Sequence, residues 1–369
     1  MQRLTYVFKF LILFSLVSAF SALAIAESGR LRMAVVGLEH GHANGFFRRI
    51  DYSSVEIVGI SEPDAAVAKK YFDRYELDQK LDYRDMRKML KATRPEAVAV
   101  FTSTKAHREV VEICAPMGIH VMVEKPLAVD MEDAKVMAKL ARKHDIHLLT
   151  NYETTWYATT QEILRMESAE VLGPTRKIVI HDGHRGPAEI NVPPEFWRWL
   201  SDPVLNGGGA IMDFGCYGAN IMTAMMDNQP PLTVTAVTQT IKPDIYKNVD
   251  DEATVILTYP EAQGIIQASW NWPISRKDVE LYGKTGELRS VDQTKMFVQV
   301  DRRHRLEEQI LRPNPAPMND PYVYFAAVVR GEVDPTGKLS SLENNLITMK
   351  ILDAARESAR TGKTVNLKK

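Results

Sequence analysis

Residues 119–127 read IHVMVEKPL, an apolar run that stops abruptly at Glu124-Lys125-Pro126. A continuous apolar run is typical of a strand buried on both faces of a parallel sheet. Pro126 has no backbone N–H, so we expect the strand to end before it. Lys125 then lies at the carboxyl end of the strand, where open α/β sheets bind ligands. A lysine there can favour deprotonation of a substrate hydroxyl. A solvated lysine closing an ordinary strand is the alternative.

Around this stretch, short apolar runs alternate with helical patterns. The predicted strands are 32–37, 55–61, 97–102 and 146–150, and the predicted helices are 44–50, 64–75, 83–92, 106–117 and 131–143. This alternation predicts an α/β fold, with a doubly wound parallel sheet of the Rossmann type over residues 30–150.

The alternation of strands and helices ends after residue 151, where short strands follow one another closely. They are predicted at 176–181, 233–240, 253–258, 264–270, 279–282 and 296–300, with helices at 210–226, 322–329 and 341–359. Turn residues such as Gly283 and Gly286 separate the later strands. The pattern predicts a C-terminal α+β domain over residues 151–369, with a large open antiparallel sheet.

Composition narrows the function class. The 369 residues are 45% hydrophobic and 25% charged, enough for two ordinary globular domains. The formal net charge of −1 argues against a nucleic-acid partner and against binding to an anionic membrane. The two cysteines, Cys114 and Cys216, are too few for a disulfide framework, and we expect two free thiols.

The first 26 residues predict export. Arg3 and Lys9 precede an apolar run over residues 10–26, which ends in the small-x-small sequence Ala24-Ile25-Ala26. This is the pattern of a signal peptide cleaved after Ala26, which would place the mature chain in the bacterial periplasm without stable membrane association. An uncleaved membrane anchor is the alternative, although the run is short for a span.

A damaged dinucleotide fingerprint follows the first predicted strand. Residues 37–42 read GLEHGH, so Gly37 can form the tight turn, whereas Glu39 and His42 replace the second and third glycines. Glu39 adds bulk and charge where a pyrophosphate would approach. Glu62 follows the second strand and is placed to accept from a ribose 2′-hydroxyl, which favours NAD over NADP. A solvated loop acid is an equal alternative.

Three glycines, Gly207 to Gly209, open the predicted helix at 210–226. Asp213 and Tyr217 are four residues apart, so on one continuous helix they share a face. A carboxylate and a phenol there can bind a polyol and move a proton, provided that a nearby lysine lowers the phenol pKa. The alternative is an acid near a helix N-terminus beside a half-buried aromatic ring.

Three motifs together resemble the Gfo/Idh/MocA oxidoreductase family over essentially the whole mature chain. They are TSTKAH at 102–107, EKPLA at 124–128, and GGG followed by D-x-G-x-Y at 207–217. The resemblance implies a Rossmann domain, a homodimer or homotetramer packed through the open sheet, and NAD(P)-dependent chemistry on a sugar, inositol or related polyol. The tyrosine motif is similar to that of the glucose–fructose oxidoreductase branch.

Carried over by position, the resemblance implies a catalytic set in which Lys125 contacts the reacting hydroxyl, Asp213 binds substrate and Tyr217 is the acid/base. The implied cofactor-binding residues are Gly37, Leu38, His40, Glu62, Thr102, His107, Glu124 and Lys125. The expected substrate-binding residues are Asn151, His181, His184 and Trp199.

Four histidines need a separate interpretation. His40, His42, His181 and His184 form two closely spaced pairs that could ligate zinc, but loop histidines that contact sugar hydroxyls are favoured, so no metal is expected. Trp199 can stack on a pyranose ring or belong to the core.

The sequence therefore predicts an exported oxidoreductase acting on a sugar, polyol or glycoside with a tightly bound NAD or NADP. A redox-neutral glycosidase, in which transient oxidation of a ring carbon acidifies its neighbour, lies within this class. Because the glycine fingerprint is broken, the alternative is a cofactor-free or metal-assisted lyase or glycoside hydrolase on the same scaffold. A carbohydrate-binding protein without activity is a third reading, which Lys125, Asp213 and Tyr217 together disfavour.

Overall fold

A computed structural model describes residues 29–367. The signal peptide expected at residues 1–26 lies outside this range, so its cleavage stays a prediction. Within residues 29–367, no helix combines the length and the apolar character needed to cross a membrane.

The first sheet has six parallel strands in the order β3-β2-β1-β4-β5-β6, as a doubly wound fold requires. Its strands are β1 (Leu31–Val36), β2 (Val55–Ser61), β3 (Asp82–Tyr83), β4 (Ala97–Val100), β5 (His120–Glu124) and β6 (Leu148–Asn151). The intervening helices are α1 (Ala43–Arg49), α2 (Ala65–Tyr75), α3 (Met86–Thr93), α4 (His107–Cys114) and α5 (Met131–Lys143). The predicted Rossmann sheet is confirmed, and β5 ends at Glu124, immediately before Lys125 and Pro126.

The second sheet has nine strands in the order β14-β13-β12-β11-β7-β10-β9-β8-β15. Its strands are β7 (Thr175–Gly183), β8 (Thr233–Gln239), β9 (Glu252–Thr258), β10 (Gln263–Ser269), β11 (Arg276–Gly283), β12 (Glu287–Ser290), β13 (Lys295–Gln299), β14 (Glu307–Ile310) and β15 (Val365–Asn366). The accompanying helices are α6 (Ala158–Ser168), α7 (Pro194–Leu200), α8 (Ala210–Asp213), α9 (Gly215–Met225), α10 (Pro321–Val329) and α11 (Leu342–Thr361).

The expectation of an antiparallel sheet needs one correction, because β7 and β10 pair in parallel. Parallel neighbours need a long crossover, and the chain between these strands carries α7, α8, α9, β8 and β9. The large open sheet is confirmed, but it is mixed.

The glycine run at 207–209 is explained by a close backbone approach. A Cβ on Gly209 would lie 1.8 Å from the carbonyl oxygen of Asp250. The Asp250 carboxylate accepts hydrogen bonds from the amides of Gly209 at 2.9 Å and Ile211 at 2.7 Å. It thereby caps α8, and at position 209 only glycine leaves room for the Asp250 backbone.

The helix predicted at 210–226 is interrupted at Phe214, which separates α8 from α9. Asp213 ends the first segment and Tyr217 lies in the second. The expectation that both share one face of a continuous helix is therefore wrong. The two side chains meet because α8 and α9 both face the edge of the first sheet where Lys125 lies.

One late helix, α10, packs on the first sheet rather than the second. Tyr322 and Phe325 are buried in the same cluster as Met33 and Phe46, and the Tyr322 and Phe46 rings lie 4.6 Å apart. This return of the chain brings residues 319–322 to the mouth of a cavity beside Glu124.

Candidate active site

Lys125 and Asp213 form a buried ion pair, with side chains only 4% and 6% exposed. The Lys125 ammonium donates to the Asp213 carboxylate and, at 3.0 Å, to the Asp213 carbonyl oxygen. Burial opposes the charge of each group, but the pairing outweighs it, so the pKa of Lys125 is raised and that of Asp213 is lowered. Trp270 Nε1 donates to the other carboxylate oxygen at 3.0 Å.

Tyr217 lies against this pair and is 1% exposed. The Lys125 ammonium is 5.1 Å from the centre of its ring. Burial first, and then the carboxylates of Glu153 and Asp182, hold the pKa of Tyr217 well above its ordinary value. The expectation that a nearby lysine lowers this pKa is wrong for this state of the site, because burial and the neighbouring carboxylates outweigh the effect of the ammonium groups. Tyr217 is protonated at neutral pH.

Lys277 is the residue that sequence reasoning missed. Its ammonium donates to the Tyr217 hydroxyl at 3.4 Å and lies 4.4 Å from the centre of the ring. It also pairs with Glu153 at 2.6 Å. A signal was present in the sequence: Lys277 alternates with the buried Val279 and Leu281, so a charged residue stands on the inward face of a strand.

Asp182 completes the charged cluster around Tyr217. It lies directly opposite Lys277 in the β7–β11 register and is 1% exposed. Its Oδ1 has no hydrogen-bond partner among the described residues. Burial raises its pKa well above the ordinary value, and the charges of Lys277 and Lys125 offset this only in part.

A cavity of about 540 Å³ opens at the carboxyl ends of β1, β2 and β4. Gly37, Glu62 and Thr102 line it. Gly37 has a φ of +78°, and a Cβ there would lie 2.5 Å from Thr102 Cγ2, so the tight turn needs glycine. The Glu62 carboxylate is buried and accepts from the amides of Leu38 at 2.7 Å and Asp64 at 2.9 Å. Burial raises its pKa against those hydrogen bonds.

Glu39 occupies the second position of the fingerprint, and its carboxylate accepts from the Ser103 amide at 2.6 Å. Burial, partly offset by this hydrogen bond, raises its pKa. The carboxylate is thus held against the loop after β4. Glu39 also lines the cavity, so the bulk that the sequence predicts at this position is present beside it.

Two buried histidines near this cavity each leave one ring nitrogen without a partner among the described residues. Each directly follows a residue that lines the cavity. His40 Nδ1 accepts from the His42 amide at 3.1 Å, so its Nε2 carries the hydrogen and is an unused donor. His107 Nδ1 faces the Leu127 carbonyl at 3.2 Å, so its Nε2 is an unused acceptor. Burial lowers both pKa values, that of His107 to about 4.

These observations fit a dinucleotide. The cavity, the glycine turn and the buried Glu62 suit the adenosine half, and the unused donor and acceptor suit a polar group with both functions.

A second cavity, of about 290 Å³, lies beside Glu124 and is also lined by His42, Asn151 and Glu153. Glu124 accepts from Asn151 Nδ2 at 2.8 Å and is within 2.8 Å of His42 Nδ1. Trp156 Nε1 donates to Asn151 Oδ1 at 2.9 Å. Asn151 thus positions Glu124 at a cavity wall where a polar ligand can reach both.

The other expected substrate residues are placed differently. Trp199 is buried against His40 and Phe196, with ring centres 5.5 Å and 5.1 Å away, so it belongs to the core of this structure. His181 is 3.1 Å from Asp278 Oδ2. His184 packs edge-on against Phe214, and its pKa is lowered by burial although Asp213 opposes this.

The four histidines weighed as a metal alternative do not gather into one group among the described residues. His40 and His42 cluster with Glu124, whereas His181 clusters with Asp278 and Glu280; in each group one ligand atom per residue lies within 4.8 Å of the others. In the first group, His40 Nδ1 accepts a hydrogen bond from the His42 amide, so this lone pair is not free to bind a metal, and His42 Nδ1 is hydrogen-bonded to Glu124. In the second, Arg276 already pairs with Asp278.

Both expected thiols are free and buried, which confirms that expectation.

Comparison with known sequences identifies two family profiles. Residues 31–152 match that of the Gfo/Idh/MocA oxidoreductase family, described by an NAD-binding Rossmann fold. Residues 157–289 match that of the Gfo/Idh/MocA C-terminal domain. Together the two profiles cover more than half of the chain.

Individual relatives are distant. The trans-1,2-dihydrobenzene-1,2-diol dehydrogenase of Sus scrofa is 23% identical over 71% of this chain and 74% of its own length. The D-apiose dehydrogenase of Paraburkholderia graminis is 23% identical over 92% of this chain and 90% of its own. Among solved structures, an inositol dehydrogenase homologue from Azotobacter vinelandii, complexed with NAD+, has a TM-score of 0.79 at 18% identity, covering 92% of this chain and 98% of that one.

Proposed function

The chain belongs to the Gfo/Idh/MocA oxidoreductase family, and we propose that it oxidises or reduces a hydroxyl-bearing carbon of a sugar, polyol or glycoside with NAD(P). The observation that carries this proposal is the meeting of Lys125, Asp213 and Tyr217 at the carboxyl end of β5. A buried lysine, carboxylate and phenol at this edge form a set that can orient a hydroxyl and exchange its proton. The names of the relatives, which act on a diol and on apiose, support a substrate with neighbouring hydroxyls.

Each side chain has a role that its surroundings favour. Lys125, kept charged by Asp213, donates to the oxygen of the reacting carbon and stabilises negative charge that develops there. Asp213, fixed by Trp270, holds Lys125 in place and can accept from a neighbouring hydroxyl. Tyr217 is protonated and therefore acts as the general acid when a ketone is reduced; for oxidation it must first lose its proton. When bound, the nicotinamide supplies the hydride acceptor or donor.

Glu62 supports NAD over NADP. Its buried carboxylate suits a ribose 2′-hydroxyl and would repel a 2′-phosphate. Leu38, whose amide donates to Glu62, and Thr102, which lines the same cavity, would hold this half of the dinucleotide. Glu124, held by Asn151, would contact the ribose at the other end.

Export completes the proposal. We propose that the protein is exported, because its first 26 residues have the pattern of a signal peptide that is cleaved after Ala26. An exported enzyme meets little free dinucleotide, so we further propose that the cofactor is retained tightly, and that the chain forms a homodimer or homotetramer.

The test compares two variants that each lose one hydroxyl. Tyr217→Phe should lower kcat about 10²- to 10⁴-fold, measured as dinucleotide reduction with a panel of sugars and polyols, because it removes the proton-transfer group. Tyr152→Phe is the matched control: its ring lies 5.5 Å from that of Tyr217, its hydroxyl has no partner among the described residues, and its turnover should stay as in the parent. Equal turnover in both variants would remove Tyr217 from the reaction.

A further inference from the structure

We propose that Lys277 is the positioning residue that controls the proton of Tyr217, the role that the sequence pattern assigned to Lys125. This inference rests on the proposed function, because it gives Tyr217 a proton to exchange. It goes beyond that function by naming a residue of the second sheet on which the pH dependence of the reaction depends.

Two lysines lie beside Tyr217, and they have different hydrogen-bond partners. Both ammonium groups lie near the Tyr217 ring, at 5.1 Å for Lys125 and 4.4 Å for Lys277. Lys125 donates to the carboxylate and to the carbonyl oxygen of Asp213. The Tyr217 hydroxyl instead accepts from Lys277, at 3.4 Å. Lys277 is therefore the cation that can stabilise a phenolate at Tyr217 directly.

Lys277 is held at this point. β11 pairs with β7 over eight residues, and Lys277 is paired with Asp182 in this register, so the sheet fixes its backbone. Glu153 anchors the ammonium at 2.6 Å, and Asp182 faces it across the register. Arg276 and Asp278, the neighbours of Lys277 in the strand, pair with each other on the opposite face.

Lys277 also carries its charge in this buried setting. Burial opposes the charge of Lys277, but Asp182 and Glu153 outweigh it and raise its pKa, so the ammonium persists throughout the working pH range. Lys277 opposes the burial of Glu153 and lowers its pKa to about 2. The two lysines thus face the ionised carboxylates of Asp213 and Glu153, while Tyr217 keeps its proton. Loss of the Tyr217 proton adds one negative charge, and the nearest cation to compensate it is Lys277.

The proton balance follows from this arrangement. In substrate oxidation the hydroxyl proton passes to the phenolate oxygen of Tyr217 as the C–H hydrogen leaves as hydride to the nicotinamide. In reduction the phenol returns that proton to the carbonyl oxygen as the hydride is delivered to carbon. Lys277 neither gains nor loses a proton in either direction. It donates a hydrogen bond that becomes stronger when the tyrosine is ionised. Glu153 lines the cavity of about 290 Å³, so the Glu153–Lys277 pair links that cavity to the phenol.

The test is the pH profile of kcat for oxidation in three variants of position 277. Lys277→Met and Lys277→Gln lack the charge, so the rising, acidic limb of the profile should move to higher pH by about one unit or more, and kcat at pH 7 should fall about tenfold or more with KM changed less than threefold. Lys277→Arg keeps a cation and should restore most of the parental profile. Because Gln retains a polar side chain of similar reach, it keeps the test decisive if the Met variant does not fold.

The matched control is Lys295→Met. Lys295 also pairs with a glutamate, Glu308 at 2.6 Å, and lies over an aromatic ring, Phe297, but it is on β13. Its profile should equal that of the parent. Parental profiles for Lys277→Met and Lys277→Gln, with Tyr217→Phe inactive, would overturn the inference and leave the proposed function standing. Full activity of Tyr217→Phe would instead overturn the proposed function.

Discussion

The cavity beside Glu62 and the charged cluster around Tyr217 lie at the same edge of the first sheet but are built in opposite ways. The cavity is open, and its residues Gly37, Glu62 and Thr102 come from the ends of three parallel strands of one βαβ array. The cluster is closed around Lys125, Asp182, Asp213 and Tyr217, which are buried, whereas its member Glu153 lines the cavity of about 290 Å³. Its members come from the end of β5, α8, α9, β7, β11 and the turn after β6.

This difference separates two requirements of the chemistry. A dinucleotide needs room, and the fold leaves room where strands diverge at the point at which their order reverses. A proton transfer needs charges whose pKa values are set by one another, which requires the exclusion of water. The predictions below test each side of this contrast.

Breaking the closed cluster should have the largest effect. Lys125→Met leaves the Asp213 carboxylate buried without its partner, so the free energy of unfolding should fall by about 3–5 kcal/mol, measured by urea denaturation at pH 7. The control is Lys105→Met, which breaks the half-exposed pair with Asp133 and should cost about 1 kcal/mol or less, since Arg108 still pairs with that carboxylate. Equal losses would show that the cluster is not closed to solvent.

On the side of the proposed cofactor cavity, the free energy of unfolding should depend on pH through His107. Burial lowers its pKa from the ordinary 6.5 to about 4, so the neutral ring stabilises the fold above pH 6.5, and that stabilisation is lost as the pH falls from 6.5 through 4. This histidine should therefore account for about 2 kcal/mol of the stability lost between pH 7 and pH 5. His107→Gln should flatten that part of the pH dependence in urea denaturation, whatever its effect at pH 7.

His304→Gln is the control for this measurement, because His304 is exposed on a turn. It should leave the difference between pH 7 and pH 5 unchanged. If His107→Gln lost as much stability between pH 7 and pH 5 as the parent protein, the His107 ring would be in contact with water in solution.

The smallest effect is expected in the open cavity. Glu62→Gln keeps the shape of the side chain but removes its charge, so the affinity for NAD+ should fall about tenfold while the affinity for NADP+ falls less or rises. Titration calorimetry with both dinucleotides measures this change in preference. The control is Glu112→Gln, an exposed acid of α4 that pairs with Arg108. An unchanged preference in Glu62→Gln would place the ribose elsewhere.

The sequence predicted most of what depends on local patterns. An apolar run followed by proline located the end of β5 and therefore Lys125, and the alternation of strands and helices predicted the first sheet. The glycine run marked the start of α8, but the segment that packs against it, at Asp250, is distant in sequence and could not be named.

The electrostatics of the site could not be predicted in the same way. The pKa of Tyr217 depends on Glu153, Asp182 and Lys277, which reach it from three other segments. Their alignment is fixed by the β7–β11 register and by the break between α8 and α9, neither of which has a local signature. For the same reason the role first given to Lys125 at the phenol passes, in our proposal, to Lys277.

The central claim is that this chain is a dinucleotide-dependent oxidoreductase, and one measurement tests it most directly. The mature protein, beginning at Glu27 and purified from the exported fraction, is denatured, and released dinucleotide is measured by absorbance and mass spectrometry. The account predicts about one NAD(H) per chain. Saturable binding of added NAD+ without release would keep the claim and reject only the tight retention. The absence of both release and binding would contradict the claim, because the cavity beside Glu62 would then hold no cofactor.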